Sequence, residues 1–292
     1  MATVGESTQL AADSALQQHE LHCMEVWNGS KHVENNVQAP GFSAWIYSKP
    51  YQESKNGGDV YFLTLCMGGV LSRLLLGDVA GHGADASATS LKLRQSIRKF
   101  INYKNQQRLV AEINSHFASL EQDGRFATAV IATYQSNKRK LTLTNAGHPR
   151  PLYFSAREQR WSYLEEVIAG GAEMSNLPFG IQSGIGYQNY SLNVEAGDML
   201  LLYTDAFVEA SSQQDQLLGE AGLLSLVKQT GDKEALDLIG RSIIRSVMNY
   251  SQRDNFDDDA TLFLVRFSEH RSVTVKSKLS GYREWIRGLV SR

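Results

Sequence analysis

Two cysteines, Cys23 and Cys66, are too few for a disulfide framework or a thiolate metal cluster. No apolar run approaches the length of a membrane span. The N-terminus is polar and acidic and lacks the charged, apolar, then small-residue order of a secretion signal, so the expected address is cytoplasmic. A net charge of −2 gives no electrostatic case for nucleic acid as the main partner. No internal repeat, low-complexity segment or Pro-rich linker divides the chain. What remains is an ordinary globular composition, 42% hydrophobic and 21% charged, long enough to bury a substantial core.

Within that composition one stretch stands out: Gly77-Asp78-Val79-Ala80-Gly81-His82-Gly83. It follows an apolar run, residues 70–76, that reads as a buried strand. It precedes residues 84–100, rich in Ala, Leu, Lys and Arg, which read as a helix. A carboxylate at a strand end, then glycines that let backbone approach a ligand, then a helix start is an active-site layout. The same layout also serves phosphate cradles and plain turns.

The rest of the chain alternates hairpins with grouped helices. Strands are expected at 42–48, 60–67, 126–134, 140–144, 152–154, 187–194, 199–203 and 260–267, with Gly68-Gly69 as a hairpin turn. Helices are expected at 108–120, 217–228 and 233–249. Residues 161–186 read as a loop-rich insertion. Up to about Gln38 the chain is polar, with scattered apolar residues (Ala11, Leu16, Leu21, Met24) at helical spacing. Hairpins with segregated helices predict an α+β layered fold. The expected organisation is an N-terminal extension (1–40), one domain (41–268) and a C-terminal helix (269–292).

Asp59, Asp78, Asp205 and Asp258 share one local situation, each at the end of a β-like run beside a glycine, a loop or further acids. Taken singly, an Asp there is most often a turn former or helix cap. Taken together, like charges are costly to assemble unless a cation neutralises them. Oxygen-only ligation suits Mg²⁺ or Mn²⁺, and no Cys/His cluster offers a zinc alternative. Two such ions about 3.5–4 Å apart can bind a phosphoryl oxygen and turn a bridging water into the nucleophile.

Beyond these residues, a series of motifs runs in order over most of the chain. They are Gly57-Gly58-Asp59, the 77–83 stretch, Phe126-Ala127-Thr128-Ala129, Asn145-Ala146-Gly147-His148-Pro149, Leu177-Pro178-Phe179-Gly180, Gly197-Asp198 with Tyr203-Thr204-Asp205, Glu209-Ala210, and Asp258-Asp259-Ala260-Thr261-Leu262. In these the sequence resembles the metal-dependent PPM (PP2C-type) Ser/Thr phosphatases, in the SpoIIE/RsbU branch. The resemblance implies a four-layer αββα sandwich with two ions, Mn²⁺ or Mg²⁺, at one edge of the paired sheets. Asp59 would bridge both ions, Asp78 and the Val79 carbonyl would bind one, and Asp205 and Asp258 would complete the second. Asp259 competes with Asp258, since neighbouring strand residues face opposite ways. Ala206 stands where the family often has Gly, and Val79-Ala80 replace Gly-Met or similar residues; neither change removes a ligand. His82 is a candidate general acid or a hydrogen bond at the helix start, and His148 reads as a turn lock.

The resemblance further implies hydrolysis of phosphoserine or phosphothreonine, on a STAS-domain anti-anti-sigma regulator in a bacterial partner-switching pathway. The helices after the 77–83 turn would act as a switch that positions a metal-binding loop. With only about forty residues before the domain, input is expected through a regulatory partner or a homodimer. The basic tail from His270 carries Leu279, Tyr282, Trp285, Ile286, Leu289 and Val290 at helical spacing. Such a helix can lie on an anionic membrane or a partner, although packing on its own domain is the commoner outcome. Two alternatives are a pseudophosphatase acting as a regulatory binding module and a metal-dependent nucleotide enzyme. All four acids are present, against the first; no P-loop or base-binding motif supports the second.

Overall fold

The computed structural model describes residues 18–20, 26–29, 32–51, 57–66, 69–81, 83–121, 123–168 and 176–269. Alternation along the strands sorts side chains onto two faces, and that sorting builds the layers. Strand β4 (Phe42–Lys49) turns Phe42, Ala44 and Ile46 one way and Trp45 and Tyr47 the other. Strand β13 (Ala260–Phe267), its antiparallel neighbour, does the same with Phe263, Val265 and Phe267 against Leu262 and Leu264.

These strands are central to a seven-stranded sheet ordered β1-β3-β4-β13-β12-β9-β10. Its other members are β1 (Gln18–Glu20), β3 (Val33–Ala39), β12 (Met199–Tyr203), β9 (Leu152–Ser155) and β10 (Arg160–Tyr163). The second sheet has six strands in the order β11-β8-β7-β6-β5-β2. They are β2 (Val26–Gly29), β5 (Val60–Cys66), β6 (Leu71–Val79), β7 (Ala127–Gln135), β8 (Lys140–Ala146) and β11 (Tyr190–Asn193). All described pairings are antiparallel except β1 with β3.

The faces carrying Phe42, Ile46, Phe263 and Val265 meet Tyr61, Leu63, Leu74, Leu76 and Val130 of the second sheet in one dry core. Helices α1 (Gly83–Phe100) and α2 (Gln106–Leu120) cover the outside of the six-stranded sheet, with Leu93, Ile97, Leu109, Ile113 and Phe117 against Phe62, Leu75 and Ile131. Short α3 (Leu164–Ile168) follows β10. Helices α4 (Gly219–Val227) and α5 (Leu236–Ser251) cover the other sheet, with Leu223, Ile239, Ile243 and Val247 against Trp45, Leu201 and Leu264. The result is the αββα sandwich that the sequence led us to expect. Contact between α5 and β4 is so close that a Cβ on Gly240 would lie 2.1 Å from the Trp45 ring.

Three differences from the sequence reading have physical causes. Strand β6 does not stop at Leu76: Gly77 pairs with Ala129, Asp78 with Thr128 and Val79 with Ala127, so Asp78 lies in the ladder. The glycine suggested a turn, but in the ladder a Cβ on Gly77 would lie 3.1 Å from the Thr128 carbonyl oxygen, so the close approach of β7 favours glycine there. Residues 33–39, polar and without strict alternation, form an outer strand whose partners supply the order that their own pattern does not. With β1 and β2 they carry both sheets into the segment expected to be an extension. The insertion at 161–186 includes the end of β10 and α3. His82, Cys23 and the basic tail at 270–292 lie outside the described residues.

One charged side chain is buried in the helix-facing layer. Arg73 of β6 donates to the carbonyls of Ile101 and Tyr103, just past the end of α1, and to the Thr133 hydroxyl at 3.3 Å. Burial pushes its guanidinium down to about 10, so it keeps its charge at neutral pH. A cation at a helix C-terminus is favourable, and here it fastens α1 to the sheet.

Candidate active site

Parity places the first two acids. On β5, Tyr61, Leu63 and Leu65 face the other sheet; on β6, Leu74 and Leu76 do. Counting back by two from Tyr61 reaches Asp59, and counting forward from Leu76 reaches Asp78. Both carboxylates therefore point into the seam between the sheets, at the same edge. Asp59 is buried and Asp78 half-buried.

Opposite them, β12 ends at Tyr203, and the chain turns through Thr204 into a single 3-10 turn at Asp205–Phe207. The Thr204 hydroxyl accepts from the Thr261 amide at 3.0 Å and donates to Asp59 Oδ2 at 3.1 Å, bridging the two sheets. Asp205 and Asp258 stand half-buried at the ends of the neighbouring antiparallel strands β12 and β13.

The adjacent acids at 258 and 259 have separate tasks. Asp259 is buried, and its two oxygens accept from the amides of Tyr51 at 2.6 Å and Gly58 at 2.5 Å. It thereby anchors the segment that delivers Asp59. A Cβ on Gly57 would lie 2.6 Å from the Asp259 carboxylate, which is why that position needs glycine. Asp258 Oδ1 accepts the Asp259 amide at 2.8 Å, and its side chain lines an open cavity.

The Val79 carbonyl has a definite direction. Ala127, opposite it on β7, exchanges both backbone bonds with Phe179, at 2.9 and 2.8 Å. Extending the Val60–Gly77 register by two residues sets Gly58 across from Val79, and a Cβ on Gly58 would lie 3.4 Å from the Val79 oxygen. The carbonyl thus faces the Asp59 arm rather than β7.

Burial and mutual repulsion act on these acids together. Burial raises Asp59 well above the carboxylate range, with the charge of Asp78 next; Asp259 and Asp205 add to it. The Thr261 hydroxyl, which bonds Ser48 at 2.9 Å, lies near enough to pull the other way. Asp78 is likewise raised by burial and then by Asp205, Asp258 and Asp259. Asp205 is pushed up to about 6 by burial, then by Glu209 and Asp258. Among the described residues, no three His, Cys, Asp or Glu side chains form a closed ligand set; the acids face a common space without meeting at one point.

A divalent cation fits this donor set. Asp59 Oδ1 is buried without a hydrogen-bond partner, although its other oxygen is satisfied by Thr204. A buried, unsatisfied carboxylate oxygen surrounded by further carboxylates is an uncompensated anionic site, and hard cations take all-oxygen shells.

His148 belongs to the support rather than the cleft. Its amide and carbonyl exchange 2.8 Å bonds with the Asn145 side chain, closing the turn after β8. Its Nδ1 lies 2.9 Å from the hydroxyl of Thr128, the ladder partner of Asp78. Burial pushes the imidazole down to about 3, against the opposing pull of the Tyr203 carbonyl, so it is neutral in the physiological range. Residues 179–182 link β7 to α2: Phe179 pairs with Ala127, while Asn114 of α2 donates to the Gln182 carbonyl at 2.8 Å and accepts the Gly180 amide at 3.0 Å.

Sequence reasoning did not single out Thr204 as the inter-sheet bridge or Asp259 as the anchor of the 51–58 segment. The threonine sat inside a quoted motif, but only the pairing of sheets reveals its partner. Glycines at 57 and 58 were the available signal for a close approach by Asp259.

Two largely antiparallel sheets between pairs of helices, with acids from both sheets at one edge of the seam, define a PP2C-type phosphatase domain. The stage II sporulation protein E (SpoIIE) family matches residues 71–268, and the chain belongs to it. Phosphoserine phosphatase RsbU of Bacillus subtilis (strain 168) is 26% identical over 141 residues, covering 48% of this chain and 39% of that protein. Phosphoserine phosphatase RsbP of the same organism is 23% identical over 197 residues, 66% of this chain and 45% of that one. The chain therefore spans less than half the length of these relatives. Among solved structures, the RsbU and RsbW domains of Rv1364c from Mycobacterium tuberculosis superpose with a TM-score of 0.67 at 22% identity, over 89% of this chain and 72% of that one. RsbX in complex with magnesium gives 0.59 at 16% identity, covering 81% and 100%. The catalytic domain of PstP with two manganese ions gives 0.55 at 13%, covering 78% and 99%.

Proposed function

We propose that this chain is a metal-dependent phosphatase acting on phosphoserine or phosphothreonine in a protein. The observation that carries the reading is the buried, unpartnered Asp59 Oδ1 in a cleft that it shares with Asp78, Asp205 and Asp258. Family membership and the names of RsbU and RsbP supply the reaction class. The magnesium and manganese in the RsbX and PstP structures support a divalent cation, and two ions are proposed here.

Asp59, Asp78, Asp205, Asp258 and the Val79 carbonyl would hold the ions. Bound there, they supply Lewis acidity toward the phosphoryl oxygens and an activated water. The residues of the chain do the rest. Thr204 fixes the rotamer of Asp59, and Asp259 fixes the approach of residues 57–59. Ladder pairing with Thr128 holds Asp78, and the Thr128–His148 contact steadies that pair from behind. No side chain is needed as nucleophile, and the neutral His148 is not assigned a proton-transfer role.

The proposed substrate is a phosphorylated STAS-domain regulator, and the proposed input is a regulatory partner or a second copy of the chain. Helix α1 is suited to transmit such input. Ala86 approaches the position a Gly58 Cβ would take, at 3.6 Å, and the Ser90 hydroxyl lies 3.3 Å from the Gly57 carbonyl. Hydrolysis of para-nitrophenyl phosphate and of phosphoserine peptides with Mn²⁺ tests the reading against Asp205→Asn. Activity is expected in wild type and a loss of at least about a hundredfold in the variant. Full activity in the variant removes the proposed site, and inactivity of the wild type on both substrates removes the enzyme.

A further inference from the structure

Beside the acid cleft, on the seven-stranded side, lies a cavity of about 420 Å³. That is within the usual range of ligand pockets, about 300–1,000 Å³. It shares Asp258 with the candidate metal site and begins at Ala206, next to Asp205. Its apolar lining includes Leu217, Met248 and Phe256. Leu217 is 62% exposed, the most exposed large hydrophobic side chain among the described residues.

Such a side chain on a loose loop would mean little, but this loop is tied at every level. Ser211 bridges to Leu217, Leu218 donates to Ala210 at 2.9 Å, and Gly219 donates to Val208 at 2.8 Å. The Tyr250 hydroxyl of α5 donates to the Gln216 carbonyl at 3.0 Å, fastening the tip to the helix. The opposite wall is equally defined. Gln252, in the left-handed conformation (φ 52°), ends α5 and turns the chain into the 253–258 segment. Leu217 is therefore presented to solvent by rigid backbone, over a concave floor.

The charges of the lining give the chemistry of the occupant. Three carboxylates, Glu209, Asp257 and Asp258, face one guanidinium, Arg253, which is ion-paired to Asp257. Arg253 neutralises Asp257 and Asp258 is a proposed cation ligand, which leaves Glu209 as the carboxylate that sets the sign of the rim beside the apolar Leu217, Met248 and Phe256. We propose that this cavity is a substrate-docking subsite for the segment flanking the phosphorylated residue, taking an apolar side chain on Leu217, Met248 and Phe256 with a basic neighbour at the rim. The inference rests on the phosphatase reading and adds its sequence preference. An extended flanking residue two positions from a phosphorylated side chain in the cleft lies about 7 Å along the chain, a reach that suits a cavity sharing Asp258 with that cleft.

The test compares kcat/KM on phosphoserine peptides carrying Leu and Lys, or Ser and Glu, in the flanking positions, with para-nitrophenyl phosphate as the reference substrate. Wild type should prefer the Leu/Lys peptide. In Leu217→Ser the ratio of its kcat/KM to that for para-nitrophenyl phosphate should fall about tenfold, through KM. Arg253→Glu should strengthen the preference for Lys over Glu at the rim. Equal use of both peptides by wild type, or an unchanged ratio in Leu217→Ser, overturns the subsite while leaving the phosphatase intact. A wild type inactive on every substrate overturns the phosphatase reading, and the subsite with it.

Discussion

The Thr204 hydroxyl reaches 3.1 Å across the seam between the sheets to Asp59 Oδ2, while accepting the Thr261 amide of its own sheet. One hydroxyl thus aims the most buried of the proposed ligands and leaves its other oxygen for a cation. Thr204→Val, nearly isosteric, should lower Mn²⁺ affinity about tenfold or more and cost about 1–3 kcal/mol of stability through the unsatisfied Asp59 and Thr261 groups. Thr204→Ser should retain both. Isothermal titration with Mn²⁺ and urea unfolding measure the two effects; equal behaviour of Val and Ser variants contradicts the assignment.

Raised carboxyl groups give the metal-free protein a definite pH dependence. Asp205 goes from an ordinary 3.8 to about 6 on folding, and Asp59 and Asp78 shift the same way. The folded state therefore binds more protons than the unfolded one between about pH 4 and 6, so stability falls as pH rises through that window. In EDTA, Tm should be lower at pH 7 than at pH 5, after allowance for the remaining acids. Added Mn²⁺ should raise Tm more at pH 7, because protons compete with it at pH 5. A metal-induced shift that shrinks with rising pH contradicts this.

Adjacent acids should fail differently. Asp258→Asn removes a proposed ligand and one of several like charges, so activity should collapse while metal-free stability is kept or raised. Asp259→Ala removes charge-assisted bonds to two backbone amides and should cost about 2–4 kcal/mol, with activity lost through the displaced 51–58 segment. Chemical unfolding in EDTA separates the two. A larger stability loss in Asp258→Asn reverses their roles.

Away from the site, Gly240→Ala sets a methyl against the Trp45 ring, where no flexible atom can yield. The expected cost is about 1–3 kcal/mol, with α5 displaced from β4. A variant as stable as wild type means that the helix can slide without loss.

Much of this was legible because local pattern and tertiary role coincide. Apolar blocks at 199–203 and 260–267 coincide with β12 and β13, and the acids lie just outside them, Asp205 after the first and Asp258 before the second. The end of β6 was placed three residues short, at Leu76, because glycine signals a turn locally, whereas here Gly77 admits the Thr128 carbonyl of β7. Residues 33–39 were missed as a strand because Glu34, Asn35 and Asn36 carry no apolar stripe; their order comes from pairing with β4 and β1. The choice between Asp258 and Asp259 rested on which amides lie opposite, a relation between positions some two hundred residues apart.

The proposed ligands divide evenly, Asp59 and Asp78 on one sheet and Asp205 and Asp258 on the other. Cations held among the four would be a clasp across the layers, and their grip would depend on how far apart the sheets stand. Any force that slides one layer by a fraction of an ångström, whether from a partner pressing on α1 or a peptide wedged beside Leu217, would register as a change in metal affinity. Metal titration in the presence of a candidate partner is in that sense a ruler for the spacing of the layers.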